Sequence, residues 1–235
     1  MTHFIVGDGH YTGERDQVVR WRRLLARAKE AGVTELSILG DFFELWLGLA
    51  GLEQAWQHAF LEPLAQLKSE GVTLRYVVGN KDYFIAEWNR RHGLFDHVVD
   101  PSVTLPSAHG ALHLAHGDLV NHADRQYRLW RAVSRSVPVR ATARVLPRSW
   151  LRRLSAQLSQ TLRGTNRTHK SYFPETQLRA RAHELPPGPG LVIYGHFHVH
   201  RELHEAAKHI ITLPFLGGEN AGILLRQDRI EKLAA

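Results

Sequence analysis

The amino-acid sequence predicts an α/β fold with a helical insertion, and three observations carry that prediction. Over residues 3–78, short apolar runs alternate with amphipathic stretches of helical period. Five short islands follow apolar runs: Asp8-Gly9-His10, Gly40-Asp41, Gly79-Asn80-Lys81-Asp82, His116-Gly117-Asp118 and Gly195-His196-Phe197-His198. A basic segment of different character, about residues 121–170, separates the last two. With 235 residues, 43% of them hydrophobic, the chain suits a single domain over 1–235 with a sizeable core.

The elements are predicted in chain order. Residues 3–7, 35–39 and 74–78 are short, mostly apolar runs, so they read as buried strands. Residues 14–31 and 53–70 have helical periodicity and end at Gly32 and Gly71, where a left-handed residue closes a helix. The result is a βαβαβ pattern. Residues 111–115 read as a further strand, and 191–194 begin another after the breaker run from Pro186 to Gly190. The tail, 210–233, reads as strands around Gly217-Gly218 and Gln227-Asp228. In the insertion, 124–135 and 148–162 read as helices interrupted by Pro138 and Pro147, with Leu151, Leu154, Leu158 and Leu162 on one face. About fifty residues cannot bury a core of their own, so this segment is expected to cover a cleft.

Composition narrows the chemistry. There is no Cys, which excludes disulfides, thiolate metal sites and Cys nucleophiles. No signal-peptide pattern opens the sequence and no run reaches the length of a membrane span, so a cytoplasmic location is expected. The net charge of +7 is unevenly placed: residues 121–170 hold eleven Arg and one Lys against Asp124, a local +11 that leaves −4 for the rest. A one-signed basic segment suits an anionic partner such as a phosphate-bearing substrate, an anionic lipid surface or nucleic acid.

The islands supply metal donors. Strand ends are where an α/β fold gathers distant side chains. Asp8, His10, Asp41, Asn80, His116, His196 and His198 would bring oxygen and nitrogen donors to one cleft, enough for two divalent cations. Asp41 has two carboxylate oxygens with which to bridge them. The mixture of imidazole, carboxylate and amide favours Mn²⁺, Fe or Zn²⁺ over Ca²⁺. Two such ions imply hydrolysis of a phosphate ester.

On these motifs the chain resembles the calcineurin-like metallophosphoesterases, whose pattern is D-x-H, G-D, G-N-[H/R]-[D/E], H-G-[D/H] and G-H-x-H. The resemblance implies a sandwich of two mixed β-sheets flanked by helices. It also implies that Asp8, His10, Asp41 and His198 hold one metal, and Asp41, Asn80, His116 and His196 the other. Within that superfamily, the run Gly40-Asp41-Phe42-Phe43-Glu44-Leu45-Trp46 and the run Asn80-Lys81-Asp82-Tyr83-Phe84 resemble the UDP-2,3-diacylglucosamine pyrophosphohydrolases of lipid A biosynthesis. Those enzymes have Arg where this chain has Lys81, a cation without the planar fork.

By that resemblance the substrate is an acylated UDP-sugar, two Mn²⁺ are the cofactors, and Asp41, Asn80, Lys81 and His116 carry catalysis. Asn80, Lys81, Asp124, Tyr127, Arg131, Arg163, Asn166, Lys170 and His198 are the expected substrate contacts. The Arg-rich, leucine-faced insertion is the expected cap, peripheral to the cytoplasmic face of the inner membrane, with no specific nucleic acid and no protein partner. Three departures stand out: Gly7 before Asp8, Gly48-Leu49-Ala50 where G-D-D is usual, and Val199-His200 after the last island. A phosphoesterase for another phosphodiester or nucleotide, and a non-catalytic binder of anionic lipid or nucleic acid, are the alternatives.

Overall fold

The computed structural model of the chain describes residues 2–165, 173–188 and 190–235, except for the side chains of 156 and 158–165. The elements in order are β1 (His3–Val6), α1 (Arg15–Glu30), β2 (Glu35–Ile38), β3 (Trp46–Leu47), α2 (His58–Ser69), β4 (Thr73–Val77), β5 (Asp82–Tyr83), α3 (Ile85–His92), β6 (His97–Val99), β7 (Ser102–Ser107) and β8 (Gly110–Ala115). There follow α4 (Arg125–Ser134), α5 (Val137–Val145), α6 (Arg148–Thr165), α7 (Glu175–Glu184), β9 (Gly190–Tyr194), β10 (Arg201–Glu205), β11 (Lys208–Thr212), α8 (Leu216–Glu219), β12 (Ala221–Leu225) and β13 (Ile230–Ala234).

Two mixed sheets face each other. The first has strand order β13-β12-β1-β2-β4-β6, with β1, β2, β4 and β6 parallel and β12 and β13 antiparallel additions. The second has order β10-β11-β9-β8-β7, with β8, β9 and β11 parallel and β7 and β10 antiparallel at its edges. Ile5, Leu39 and Val77 of the first sheet meet Leu112, Leu114, Ile193 and Ile211 of the second, all nearly or fully buried. The outer face of the first sheet carries α1, α2 and α3 through Trp21, Leu24, Phe60, Leu64 and Trp88, and the outer face of the second carries α7 through Leu178 and Ala182. The strands are covered on both faces, and β2 and β4 bury polar as well as apolar side chains: Glu35 pairs with Arg75 at 2.8 Å, and Ser37 Oγ meets His3 Nε2 at 2.8 Å.

The expected strands and long helices are present, with ends shifted by a few residues. Gly32 and Gly71 close α1 and α2 with φ of +74° and +92°. The tail differs: Gly217-Gly218 lies in the one-turn helix α8, while the hairpin at Gln227-Asp228 joins β12 to β13. Pro138 begins α5 rather than interrupting a helix, since a proline in the first turn forfeits no intrahelical hydrogen bond.

The segment expected to form a cap folds into α4, α5 and the described part of α6. Ala143 and Leu151 pack on Leu49, with Leu52, Phe84 and Leu146 around them. Leu154 is exposed, so the expected leucine face is only partly a packing face. Leu158, Leu162, Arg163 and the 166–171 segment lie outside the described side chains.

Candidate metal centre

Each island begins where a parallel strand ends: β1 before Asp8, β2 before Asp41, β4 before Asn80, β8 before His116 and β9 before His196. Three strands of one sheet and two of the other therefore open onto one end of the sandwich. The chain turns sharply there. Asp8, His10, Asp41, His196 and His198 have φ of +57°, +44°, +50°, +69° and +58°. Such left-handed residues reverse a strand within one or two positions, and Asp and His tolerate the region better than most side chains. The turns explain how Asp8 and His10 face one point although they are separated by a single residue.

The donors form two groups. In the first, Asp8 Oδ1 lies 3.3 Å from His198 Nε2 and 3.8 Å from His10 Nε2, and the two Nε2 atoms are 3.0 Å apart. In the second, Asn80 Oδ1 is 2.9 Å from His116 Nε2 and 3.0 Å from His196 Nδ1, with those two nitrogens 3.2 Å apart. Asp41 Oδ2 stands between them, 3.9 Å from His10 Nε2 and 3.7 Å from His116 Nε2. All seven expected donors thus converge.

Surrounding groups hold them in place. The Asp8 carboxylate accepts the His196 backbone N–H at 2.6 Å, and Asp41 accepts that of Lys81 at 2.8 Å. Asp82 accepts the backbone N–H groups of Asp41 at 2.9 Å and Gly79 at 2.7 Å, tying the second island to the third. His116 Nδ1 donates to the Leu39 carbonyl at 2.7 Å, which leaves Nε2 as its lone-pair nitrogen. Phe215 stacks on His198 with ring centroids 4.9 Å apart.

These residues fit divalent cations. Asp8 Oδ1 is a buried carboxylate oxygen without a hydrogen-bond partner, and imidazole nitrogens converging to 3.0–3.2 Å need a cation or a shared proton between them. Burial lowers His10 and His196 to about 4, so their rings are neutral ligands at pH 7. Burial raises the Asp41 carboxyl, and neighbouring Asp82 and Asp8 add to the effect. His116 moves the other way: although burial opposes its charge, Asp41 and Asp8 raise it. A centre that retains a proton for want of other positive charge is one where a cation is favoured.

The remaining expected contacts are placed as follows. Lys81 is fully buried and its ammonium meets Glu44 Oε1 at 2.9 Å, so it faces a protein carboxylate rather than an open cleft. Asp124 caps α4, accepting the Tyr127 backbone N–H at 2.9 Å. The Tyr127 hydroxyl donates to Asp118, and Arg131 Nε meets the same carboxylate oxygen at 2.9 Å while its other nitrogen reaches Asp100. Arg135 bonds Asp100 and the Gly79 carbonyl. Tyr127 and Arg131 therefore join α4 to the loops after β8 and β6. Arg163, Asn166 and Lys170 lie outside the described side chains.

The sequence alone does not single out Glu44, Asp82, Asp100 and Asp118 as structural partners of the centre. Asp82 and Asp118 belong to the islands, so their positions are visible there while their partners are not. Asp100 has no local signal.

A two-sheet sandwich with carboxylates, an amide and imidazoles gathered from five strand ends defines a metal-dependent hydrolase. The profile of the calcineurin-like phosphoesterases matches residues 1–200, and the chain belongs to that family. It is 29% identical over 203 residues to a UDP-2,3-diacylglucosamine hydrolase of Pseudomonas paraeruginosa, covering 84% of this chain and 82% of that one. A protein of the same description from Nitrosococcus oceani is 29% identical over 210 residues, covering 84% and 79%. A solved archaeal phosphodiesterase superposes over the whole of both chains with a TM-score of 0.53 at 12% identity, a likeness of fold alone.

Proposed function

We propose that the protein hydrolyses the pyrophosphate of UDP-2,3-diacylglucosamine to UMP and 2,3-diacylglucosamine 1-phosphate, with two Mn²⁺ held by Asp8, His10, Asp41 and His198 and by Asp41, Asn80, His116 and His196. The observation that carries the substrate reading is the surface of the cap. Among the described residues, the large exposed apolar side chains other than Val19 are Leu129, Trp130, Val133, Val137, Val139, Val145, Trp150 and Leu154, all on the cap. An apolar, Arg-bearing cover beside a phosphoesterase centre suits a molecule with an anionic head and acyl tails.

Bound divalent ions would supply Lewis acidity and acidify water at neutral pH. The protein's part is positional. Asp41, between the donor groups, fixes their separation. Asn80 turns its carbonyl oxygen toward His116 and His196, which leaves its amide N–H groups to donate to a phosphoryl oxygen. The leaving phosphate is already a good leaving group, so no buried acid is required beside it. Asp124, Tyr127 and Arg131 hold the cap over the centre, while Asn80, His198, Arg163, Asn166 and Lys170 are the proposed substrate contacts.

Release of UMP from the diacylated substrate by Mn²⁺-loaded protein tests the reading, with UDP-N-acetylglucosamine alongside as the sugar nucleotide without long acyl chains. The tails should be required. Equal turnover of both would overturn the lipid reading in favour of a phosphoesterase for a simpler nucleotide, which the buried position of Lys81 would then suit. No helix among the described residues is long and apolar enough to cross a membrane. The exposed cap side chains fit peripheral attachment to an anionic cytoplasmic leaflet, and flotation with phosphatidylglycerol vesicles should fall for Trp130→Ser combined with Trp150→Ser. Unchanged flotation would remove the membrane role.

A further inference from the structure

Lys81 stands where the sequence predicts a substrate contact, yet its ammonium is buried and paired with a protein carboxylate. Its Nζ is 2.9 Å from Glu44 Oε1, with side-chain exposures of 2% and 13% for the pair. The other oxygen of Glu44, Oε2, lies 3.5 Å from Nδ1 of His10, and that buried Nδ1 has no closer hydrogen-bond partner. Its Nε2 meanwhile faces Asp8 and His198. One carboxylate therefore stands between a buried ammonium and the outward nitrogen of a metal-donor imidazole.

Both members are mounted on rigid backbone. Glu44 follows the bridge between Tyr11 and Phe43, and its N–H donates to the Tyr11 carbonyl at 3.1 Å. The Lys81 carbonyl accepts from the Trp46 N–H at 3.0 Å, at the start of the β3–β5 ribbon. The ribbon fixes the two side chains relative to each other, and the Tyr11 bridge fixes Glu44 relative to His10.

We propose that Glu44 and Lys81 are a positioning pair for His10, holding the imidazole with Nδ1 protonated and Nε2 directed to the cation, and that Lys81 acts through Glu44 rather than on the substrate. A carboxylate behind a ligating imidazole orients the ring and strengthens it as a donor. Lys81 adds a counter-charge that keeps Glu44 buried and ionised beside the centre, since an unpaired carboxylate there would be costly. The inference rests on reading His10 as a ligand of one of two divalent ions.

Calorimetric titration of Mn²⁺ into the full-length apoprotein, without substrate, tests the pair. Glu44→Gln should weaken one of two Mn²⁺ sites by about 10- to 100-fold and leave the other unchanged. The electron paramagnetic resonance signal of the coupled Mn²⁺ pair should vanish at stoichiometric metal and return in excess, and kcat should return with it while KM stays constant. Glu44→Asp, which retains the charge, should fall between Gln and wild type, and serves if the amide variant fails to fold. Lys81→Met should weaken the same site by less, and Lys81→Arg should restore it. If Lys81→Met leaves Mn²⁺ affinity intact but raises KM or lowers kcat at saturating metal, Lys81 acts on substrate and the proposal fails. Wild-type protein that binds two Mn²⁺ but leaves the acylated UDP-sugar uncleaved overturns the proposed substrate without touching this inference.

Discussion

At the scale of single residues, the centre is assembled from backbone conformations that side chains ordinarily avoid. Five of the seven donors have positive φ, and each such residue costs on the order of 1–3 kcal/mol unless its surroundings hold it. What holds them is close backbone packing. A Cβ on Gly79 would come within 2.7 Å of the Asp41 backbone nitrogen, and one on Gly195 within 2.7 Å of Asp8 Oδ2. These glycines are cleared space for carboxylates. Gly79→Ala should therefore displace Asp41 and cut bound Mn²⁺ per chain, measured by elemental analysis, although the added methyl group would bear no charge and touch no metal. Full Mn²⁺ content in that variant would contradict the close-packing account. Asp41→Ala is the more direct change: removal of the carboxylate between the two donor groups should lower kcat by about three orders of magnitude under saturating Mn²⁺. Turnover near wild type would refute its bridging position.

At the scale of elements, the cap is held by interactions of unequal weight. Arg144 pairs with Glu87 at 2.9 Å in a solvent-facing bridge, where water and salt screen the charges and little stability results. Leu151, 5% exposed, fills the contact with Leu49 and Ala143, and truncating such a side chain costs about 2–5 kcal/mol. Leu151→Ala should therefore loosen α5 and α6 far more than Arg144→Ala, seen as faster amide exchange and proteolysis in the cap at unchanged Mn²⁺ stoichiometry. Comparable effects of the two substitutions would show that charge, not packing, docks the cap. The same comparison shows what sequence could and could not reveal here. Leucines spaced three and four apart announced a helix with an apolar face, and that helix formed. Nothing in their spacing announced that Leu49 would be the partner, because the residues that replace the family's usual acidic pair sit far upstream in the chain. Several of the arginines counted as a basic surface, Arg131, Arg135 and Arg144 among them, are engaged by Asp100, Asp118 and Glu87, which composition cannot foresee.

At the scale of the whole molecule, the parallel strands were legible because short, mostly apolar runs alternate with stretches of helical period, and the candidate donors were legible because each lies just beyond such a run. The two-residue strands β3 and β5 were not: they are too short for any periodicity, and only the pairing of Trp46 with Asp82 and Leu47 with Tyr83 in space defines them. Burial on this scale also sets the acid response. His3 lies between the sheets, where its Nε2 meets Ser37 Oγ at 2.8 Å, and burial lowers it from 6.5 to about 4. His113 is lowered to about 4 as well, again chiefly by burial. Between pH 4 and 6.5 the unfolded chain binds protons at these positions that the folded chain does not, so stability is complete above pH 6.5 and falls as pH decreases. A shift of this size corresponds to about 3 kcal/mol for His3 at full effect. Urea unfolding of wild type and His3→Asn at pH 7.5 and 5.0, both metal-free, isolates the effect, since the metal-centre carboxylates and imidazoles titrate alike in both proteins. The variant should lose less stability than wild type over that interval, whatever its stability at pH 7.5. An equal loss in the two proteins would mean that His3 takes up its proton without unfolding the sandwich.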